Sequence, residues 1–332
     1  MVGAERVFDH SGLLYRGPAE YLRGVTAFVR SAVRNGDAVL VAVPGGNLEL
    51  LRVALAGLGD KVKYADMSVE GRNPGRILPG VLLAFAVEQL AVEQLAGERF
   101  GEEPVAGERP GRRVSIVGEP VWVGRDDDEY PACVTHEALI NVVFAERDAA
   151  VLCPYDAAGL DRARLRDAWL THPAMITPGG RRPSPWYQDP YVTVASVNRP
   201  LSAVPWWAAS RAYGRNVGLK EVRVFVASRA RAGGLTAPRV TDLVAAVNEL
   251  VVNTLRHTGG GGTVTLWTEN DRVICQVDDH GYLADPLAGR ILPPPEAENG
   301  RGLVLANHLC DLLRVHARDD GTSLRLYMRR GL

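Results

Sequence analysis

The sequence predicts two unlike halves: an α/β domain on a mainly parallel sheet, then an α+β domain on a mixed, mostly antiparallel sheet. Three observations predict it. In the first half, short apolar runs alternate with amphipathic stretches, the pattern of a doubly wound sheet. From Thr177 to about Pro205 the chain is dense in proline and glycine (Pro178, Gly179, Gly180, Pro183, Pro185, Pro190, Pro200, Pro205), which disfavours long regular structure and marks a boundary. Beyond it, two helical stretches precede short strands of alternating character. At 332 residues the chain is too long for one ordinary core, and domains of 1–195 and 204–332 follow.

In the first half, Ala38–Val43 reads as a buried strand, with a Pro44-Gly45-Gly46 turn and a helix over Asn47–Leu58. Val62–Asp66 is a second strand. Ile77 to about Ala96 reads as a helix, and Gly97–Arg112, rich in glycine and charge, as a loop. Val114–Glu119 and Ala149–Cys153 are two further strands, separated by a helix over Tyr130–Ala145. In the second half, helices are expected over Leu219–Arg231 and from Pro238, a favoured first-turn residue, to His257. Strands follow at Thr263–Thr268, Val273–Val277, Leu313–Ala317 and Ser323–Met328, with a helix over Gly302–Leu309 between the second and third.

Hydrophobic residues make up 46% and charged residues 23% of the chain, a globular composition, and the net charge of −1 gives no sign of a nucleic-acid surface. The longest uncharged apolar run, Ile77–Val87, falls well short of the ~20 residues that span a bilayer, and the N-terminus lacks the apolar core of a signal peptide. Cys133, Cys153, Cys275 and Cys310 form no CxxC pair, so a disulfide framework is not expected. A cytoplasmic protein with reduced thiols is the expectation.

The most informative segment is Asn248–His257. Glu249, Asn253 and His257 recur every fourth residue, on one stripe of a helix whose other sides carry Leu250, Val251 and Leu255. A polar stripe on such a helix is costly to bury without partners, and a solvated edge is its plainest reading. Three further blocks point elsewhere. A strand runs into Asp278-Asp279-His280-Gly281, where a carboxylate can accept an exocyclic amine and glycine lets backbone approach a ring. Asn299-Gly300-Arg301-Gly302-Leu303 opens a helix whose amides suit phosphate. Gly321-Thr322 precedes the last strand, where a hydroxyl and a small residue can close a nucleotide site.

In that order, these blocks resemble the motifs of the GHKL (histidine-kinase-like) ATPases, over most of the chain after Val204. The resemblance implies a Bergerat-fold α+β sandwich that binds ATP and Mg²⁺. It implies that Asn253 holds the metal ion, as hard oxygen donors suit it, that Asp279 reads adenine, and that Gly281, Gly300, Gly302 and Thr322 shape the pocket. Glu249 would be the catalytic base. The family pattern usually places a second glycine two residues after Gly281, where this sequence has Leu283. The segment from Tyr282 to Asn299, with Pro293-Pro294-Pro295, is expected to form a short, stiff lid.

The compact form is similar to that of anti-sigma-factor serine kinases. A histidine kinase would need a phosphoacceptor on a helix pair upstream, and the nearby His172 precedes Pro173 outside any long helix. Around His10–Tyr15, Ile116–Trp122, Tyr130–Asn141 and Leu152–Asp156 the first half resembles the MEDS sensory domain, over residues ~8–195, a domain related to RecA-like ATPases. The pairing resembles an architecture of actinobacterial anti-sigma regulators. It implies a serine/threonine kinase that regulates transcription by partner switching between a sigma factor and an antagonist, with room for a homodimer. A non-catalytic, nucleotide-dependent binding protein and a sensor histidine kinase-like protein are the alternatives.

Val43–Leu48, in the place of a phosphate loop, lacks the lysine and hydroxyl that hold phosphates, so the first domain is expected to sense without hydrolysing ATP. His10, Cys133, His136 and Cys153 read most simply as packed core residues, since buried free cysteine is ordinary, and alternatively as a metal or haem site. Trp206-Trp207 is expected to pack between the domains.

Overall fold

The computed structural model describes residues 8–89, 113–214, 218–258, 260–293, 296 and 300–331. The predicted helix beyond residue 89, the loop Gly97–Arg112, and Gly259, Pro294, Pro295 and Asn299 lie outside the described residues. The chain divides into two compact units, the first comprising Met1–Gly71 and Ile77–Val194, the second Arg72–Arg76 and Ala195–Leu332.

The first unit holds a seven-stranded sheet in the order β3-β2-β4-β5-β1-β6-β7. Its strands are β1 (Asp9–Tyr15), β2 (Ala38–Val43), β3 (Val62–Asp66), β4 (Val114–Gly118), β5 (Ala149–Asp156), β6 (Ala174–Thr177) and β7 (Gly180–Pro183). All neighbours run parallel except β6 and β7. β2 and β4 are buried along their whole length, so they read as unbroken apolar runs rather than alternating ones.

Helix α1 (Gly17–Asn35) buries Tyr21, Val25, Val29 and Ala32, one face of a 3.6-residue period, in a cluster with Val39, Val41 and Val43 of β2. α2 (Gly45–Ala54) ends sooner than expected, and a 3-10 turn over Ala56–Lys61 leads into β3. The helical run from residue 77 starts as a π-helix over Ile77–Leu82; Pro79, with no N–H to give, disfavours ordinary α-helical bonding there. α3 (Tyr130–Val143) and α4 (Arg162–Thr171) follow β4 and β5. α5 (Pro190–Val197) forms within the stretch expected to be irregular, with Thr193 as its one buried residue.

The second unit holds a five-stranded antiparallel sheet, β11-β12-β10-β9-β8. Its strands are β8 (Ala209–Tyr213), β9 (Gly262–Glu269), β10 (Arg272–Asp279), β11 (Leu312–Arg318) and β12 (Gly321–Arg329). Every pairing is antiparallel, where a mixed sheet was expected. Helices α6 (Leu219–Ala232), α7 (Ala237–His257) and α8 (Arg301–Leu309) share one core with the sheet.

Strand alternation sorts the two faces of this sheet. Val264 and Leu266 of β9, Val273, Cys275 and Val277 of β10, and Leu324, Leu326 and Met328 of β12 enter the core shared with the helices. The intervening residues form a second face that mixes Trp267, Ile274 and Tyr327 with polar groups. There the buried Arg325 guanidinium donates to Gln276 Oε1 at 2.8 and 2.6 Å, donates to Ser202, and lies 4.9 Å from the Trp267 ring centroid. A buried cation needs such partners. Trp206 and Trp207 are exposed, at 92% and 61% of their surface.

Candidate functional site

The sequence-predicted residues of the second unit come together at one end of its sheet. β10 delivers Asp279 as its last residue, in register with Thr322 of β12 and Gly262 of β9. Asp279 continues the odd-numbered series that faces the helices, whereas Asp278 falls on the other face, where Gln276 and Ser323 donate to it. Which of the two adjacent aspartates meets the helices is thus settled by strand parity.

Asp279 is held in a fixed pose. Its Oδ1 accepts the Gly281 N–H at 2.7 Å, and its Oδ2 accepts the Thr254 hydroxyl at 2.6 Å. Tyr213 of β8 donates to the Thr254 oxygen at 3.0 Å, and burial foremost, with Asp279 beside it, pushes the Tyr213 phenol up, so it stays a donor. Two donors leave lone pairs of Asp279 free for a further N–H. Sequence reasoning missed Thr254 and Tyr213. Thr254 sits one residue beyond the polar stripe and looked like part of the apolar flank.

α7 sets Glu249 and Asn253 on its half-buried side, and α8 comes against them at Gly302. A Cβ at Gly302 would stand 3.0 Å from both Glu249 Oε2 and Asn253 Nδ2. Any side chain there would have to displace one or both of these groups by a few tenths of an ångström. Gly300, just before α8, has φ 94°, a left-handed conformation that favours glycine, and it opens the helix without a capping side chain. The amides at a helix start suit an anion.

Thr322 is buried, and its hydroxyl is spent on the loop after β10: it donates to the Gly281 carbonyl at 2.7 Å and accepts the Leu283 N–H at 3.2 Å. Leu283 stands where the family pattern has glycine, and its backbone is anchored here by Thr322. The loop continues to Gly289, whose carbonyl accepts from Asn307 of α8 at 3.0 Å. His257, at the far end of the stripe, is exposed.

The first unit carries two buried polar clusters. At the carboxyl ends of β2 and β4, where strand order changes direction and α/β sheets commonly bind ligands, Glu119 is buried. Its carboxylate accepts from Asn47 Nδ2 at 3.0 and 2.9 Å, from Tyr21 at 3.1 Å and from Tyr15 at 3.3 Å. Burial raises its pKa to about 7 despite these donors. The second cluster gathers His10, Glu137, Cys153 and His172, all buried. His10 and Cys153 were candidates from sequence. Cys133 instead accepts from the Arg125 Nε–H at 3.0 Å, and neither it nor His136 joins the group. His172 is fully buried at the end of α4, which bars it from an acceptor role on an exposed helix.

Among the described residues no helix is long and apolar enough to cross a membrane. No curated protein matches the sequence. A solved structure of the RsbU and RsbW domains of Rv1364c from Mycobacterium tuberculosis is similar to part of it, at 19% identity and a TM-score of 0.28, over 36% of this chain and 32% of that chain. A likeness so slight has no bearing on function. Residues 9–173 match the family described as MEDS, the methanogen/methylotroph, DcmR sensory domain, and residues 215–328 match the histidine kinase-like ATPase domain, which implies ATP binding. The chain therefore carries a MEDS domain on its N-terminal side and a histidine kinase-like ATPase domain after it.

Proposed function

We propose that the second unit, about residues 204–332 and of the Bergerat type, binds Mg-ATP, and that the chain transfers a phosphoryl group to a serine or threonine hydroxyl of a partner protein. The observation that carries this is the contact of Gly302 with Glu249 and Asn253, on the same helix from which Thr254 fixes Asp279. What supports the fit is the donor set: a carboxylate at Asp279 held by Thr254 and Gly281, and the Glu249 carboxylate and Asn253 amide side by side against Gly302.

Each residue then has a task. Asp279, charged on its acceptor side and held by Thr254 and Gly281, accepts the exocyclic amine of adenine. Thr322 keeps the Gly281–Leu283 backbone in place beneath the base. Asn253 offers its amide oxygen to Mg²⁺, and the start of α8 offers backbone amides to phosphate. Bound ATP supplies the phosphoryl group. Glu249 orients the attacking hydroxyl and takes its proton, a contribution that is typically ~10²–10⁴-fold.

By this reading the chain is an anti-sigma regulator of the actinobacterial type, which a sigma factor and its antagonist engage in turn, with the MEDS domain, RecA-like in fold, as sensor. A carboxylate beside Asn253 favours catalysis over a purely nucleotide-gated binder. The test is to incubate the full chain with labelled Mg-ATP and the serine-bearing proteins it captures from its host. Acid-stable label on a captured protein, absent with Glu249→Ala, supports the kinase; nucleotide binding with no transfer to any of them leaves the binding regulator.

A further inference from the structure

We propose that His10, Glu137, Cys153 and His172 form a site for one divalent first-row transition-metal ion, of the zinc or iron(II) kind, inside the first unit. The four side chains come from separate elements: the start of β1, the middle of α3, β5, and the residue after α4. All are at most 2% exposed, and their donor atoms lie within 4.8 Å of one another. Glu137 Oε2 is 3.3 Å from Nε2 of His10 and 3.3 Å from Nε2 of His172, and His10 Nε2 is 3.4 Å from Cys153 Sγ. A tetrahedral ion with bonds of about 2.0–2.3 Å holds its donors roughly 3.3–3.6 Å apart.

The far nitrogen of each ring is already committed elsewhere. Asn141 Nδ2 donates to the carbonyls of Glu137, Ala138 and Thr171, which turns its Oδ1 towards His10 Nδ1 at 3.0 Å. His10 Nδ1 must therefore carry the hydrogen. His172 Nδ1 lies 2.8 Å from the Ala168 carbonyl and must donate as well. Both rings thus turn Nε2 to the Glu137 carboxylate. In keeping with this, His172 Nε2 and both Glu137 oxygens are buried without a hydrogen-bond partner. The two imidazole rings lie 4.1 Å apart, centroid to centroid, so both reach the same carboxylate.

What converges is a set of electron-pair donors lacking a cation. Each ring is oriented through its other nitrogen, the usual support for a metal-bound histidine. Two imidazoles, a carboxylate and a thiolate suit a borderline ion rather than Mg²⁺ or Ca²⁺. On loading, the Cys153 S–H bond breaks, its proton passes to solvent, and a metal–sulfur bond forms. The two positive charges then balance the Glu137 carboxylate and the Cys153 thiolate, leaving the buried site neutral.

The full chain, stripped with a chelator, is titrated with cobalt(II) and followed by absorption. The expected result is one equivalent bound, with intense d–d bands of tetrahedral coordination and a thiolate-to-cobalt charge-transfer band. Cys153→Ser removes the charge-transfer band, and Glu137→Gln weakens cobalt binding at least ~10-fold. Circular dichroism confirms that the variants fold. The wild-type spectrum decides even if a variant does not: no bound cobalt, or cobalt without a thiolate band, overturns the proposal. So does a charge-transfer band that survives in folded Cys153→Ser.

Discussion

Gly302, the second residue of α8, meets Glu249 of α7 so closely that a methyl group in its place would stand 3.0 Å from the carboxylate oxygen and as near to Asn253 Nδ2. The side chains proposed for metal binding and for catalysis share one glycine as their floor. Gly302→Ala gains helix propensity, ~1 kcal/mol, while pushing both side chains. Mg-ATP affinity measured by calorimetry is expected to fall at least ~10-fold with no loss of thermal stability. Unchanged affinity would separate Gly302 from the nucleotide.

Thr254→Val removes the hydroxyl that donates to Asp279 and accepts from Tyr213. A hydrogen bond to a charged group is worth about 1.5–3 kcal/mol, so ATP affinity should drop roughly 10–150-fold as the carboxylate loses its fixed pose. Fluorescent-nucleotide titration checks this; wild-type affinity would mean that Asp279 needs no such anchor.

Glu249→Ala and Asn253→Ala should part company. The first is expected to keep Mg-ATP binding and lose ~10²–10⁴-fold in transfer rate, and the second to lose the Mg²⁺-dependent part of binding. Titrations with and without Mg²⁺, beside a transfer assay, read both. Transfer by Glu249→Ala at the wild-type rate would remove the base.

Glu119 gives the first unit a pH dependence. Its folded pKa, raised by burial to about 7, lies above the ordinary carboxyl value of 4.5. The stability tied to its protonated form is complete below pH ~4.5 and is lost as pH rises through about 7, of order 3 kcal/mol at most. Hydrogen exchange at the buried amides of β2 and β4 should show wild type losing stability relative to Glu119→Gln between pH 5 and 8. A constant difference between the two would mean that Glu119 does not titrate there.

Much of this fold was legible because burial writes itself as pattern. β2 and β4, covered on both faces, are continuous apolar runs, and the odd–even alternation of β10 puts Asp279 on the helix side. α1 was obscured by Gly24, which breaks its apolar face where a Cβ would stand 2.6 Å from Leu13. β1 begins Asp9-His10-Ser11-Gly12, polar or small residues, of which His10 is received inside by Asn141 from a distant element. For the same reason Glu137 and His172 were not grouped with His10 and Cys153. Sequence spacing speaks of one helix face, and this cluster is assembled from four elements; the His10 and Asn141 that meet in it are 131 positions apart. The Asp279 anchor was half legible, as the carboxylate and the glycine lie on one segment, whereas Thr254 and Tyr213 reach it from α7 and β8.

Asp279 is the proposed adenine reader of the second unit. Calorimetric titration of the full chain with Mg-ATP, wild type beside Asp279→Asn, tests this role. One ATP bound per chain, with affinity at least ~10-fold weaker in the variant, a difference of ~1.4 kcal/mol or more, is the predicted result. No binding by the wild type, or equal affinities for the two proteins, would contradict it.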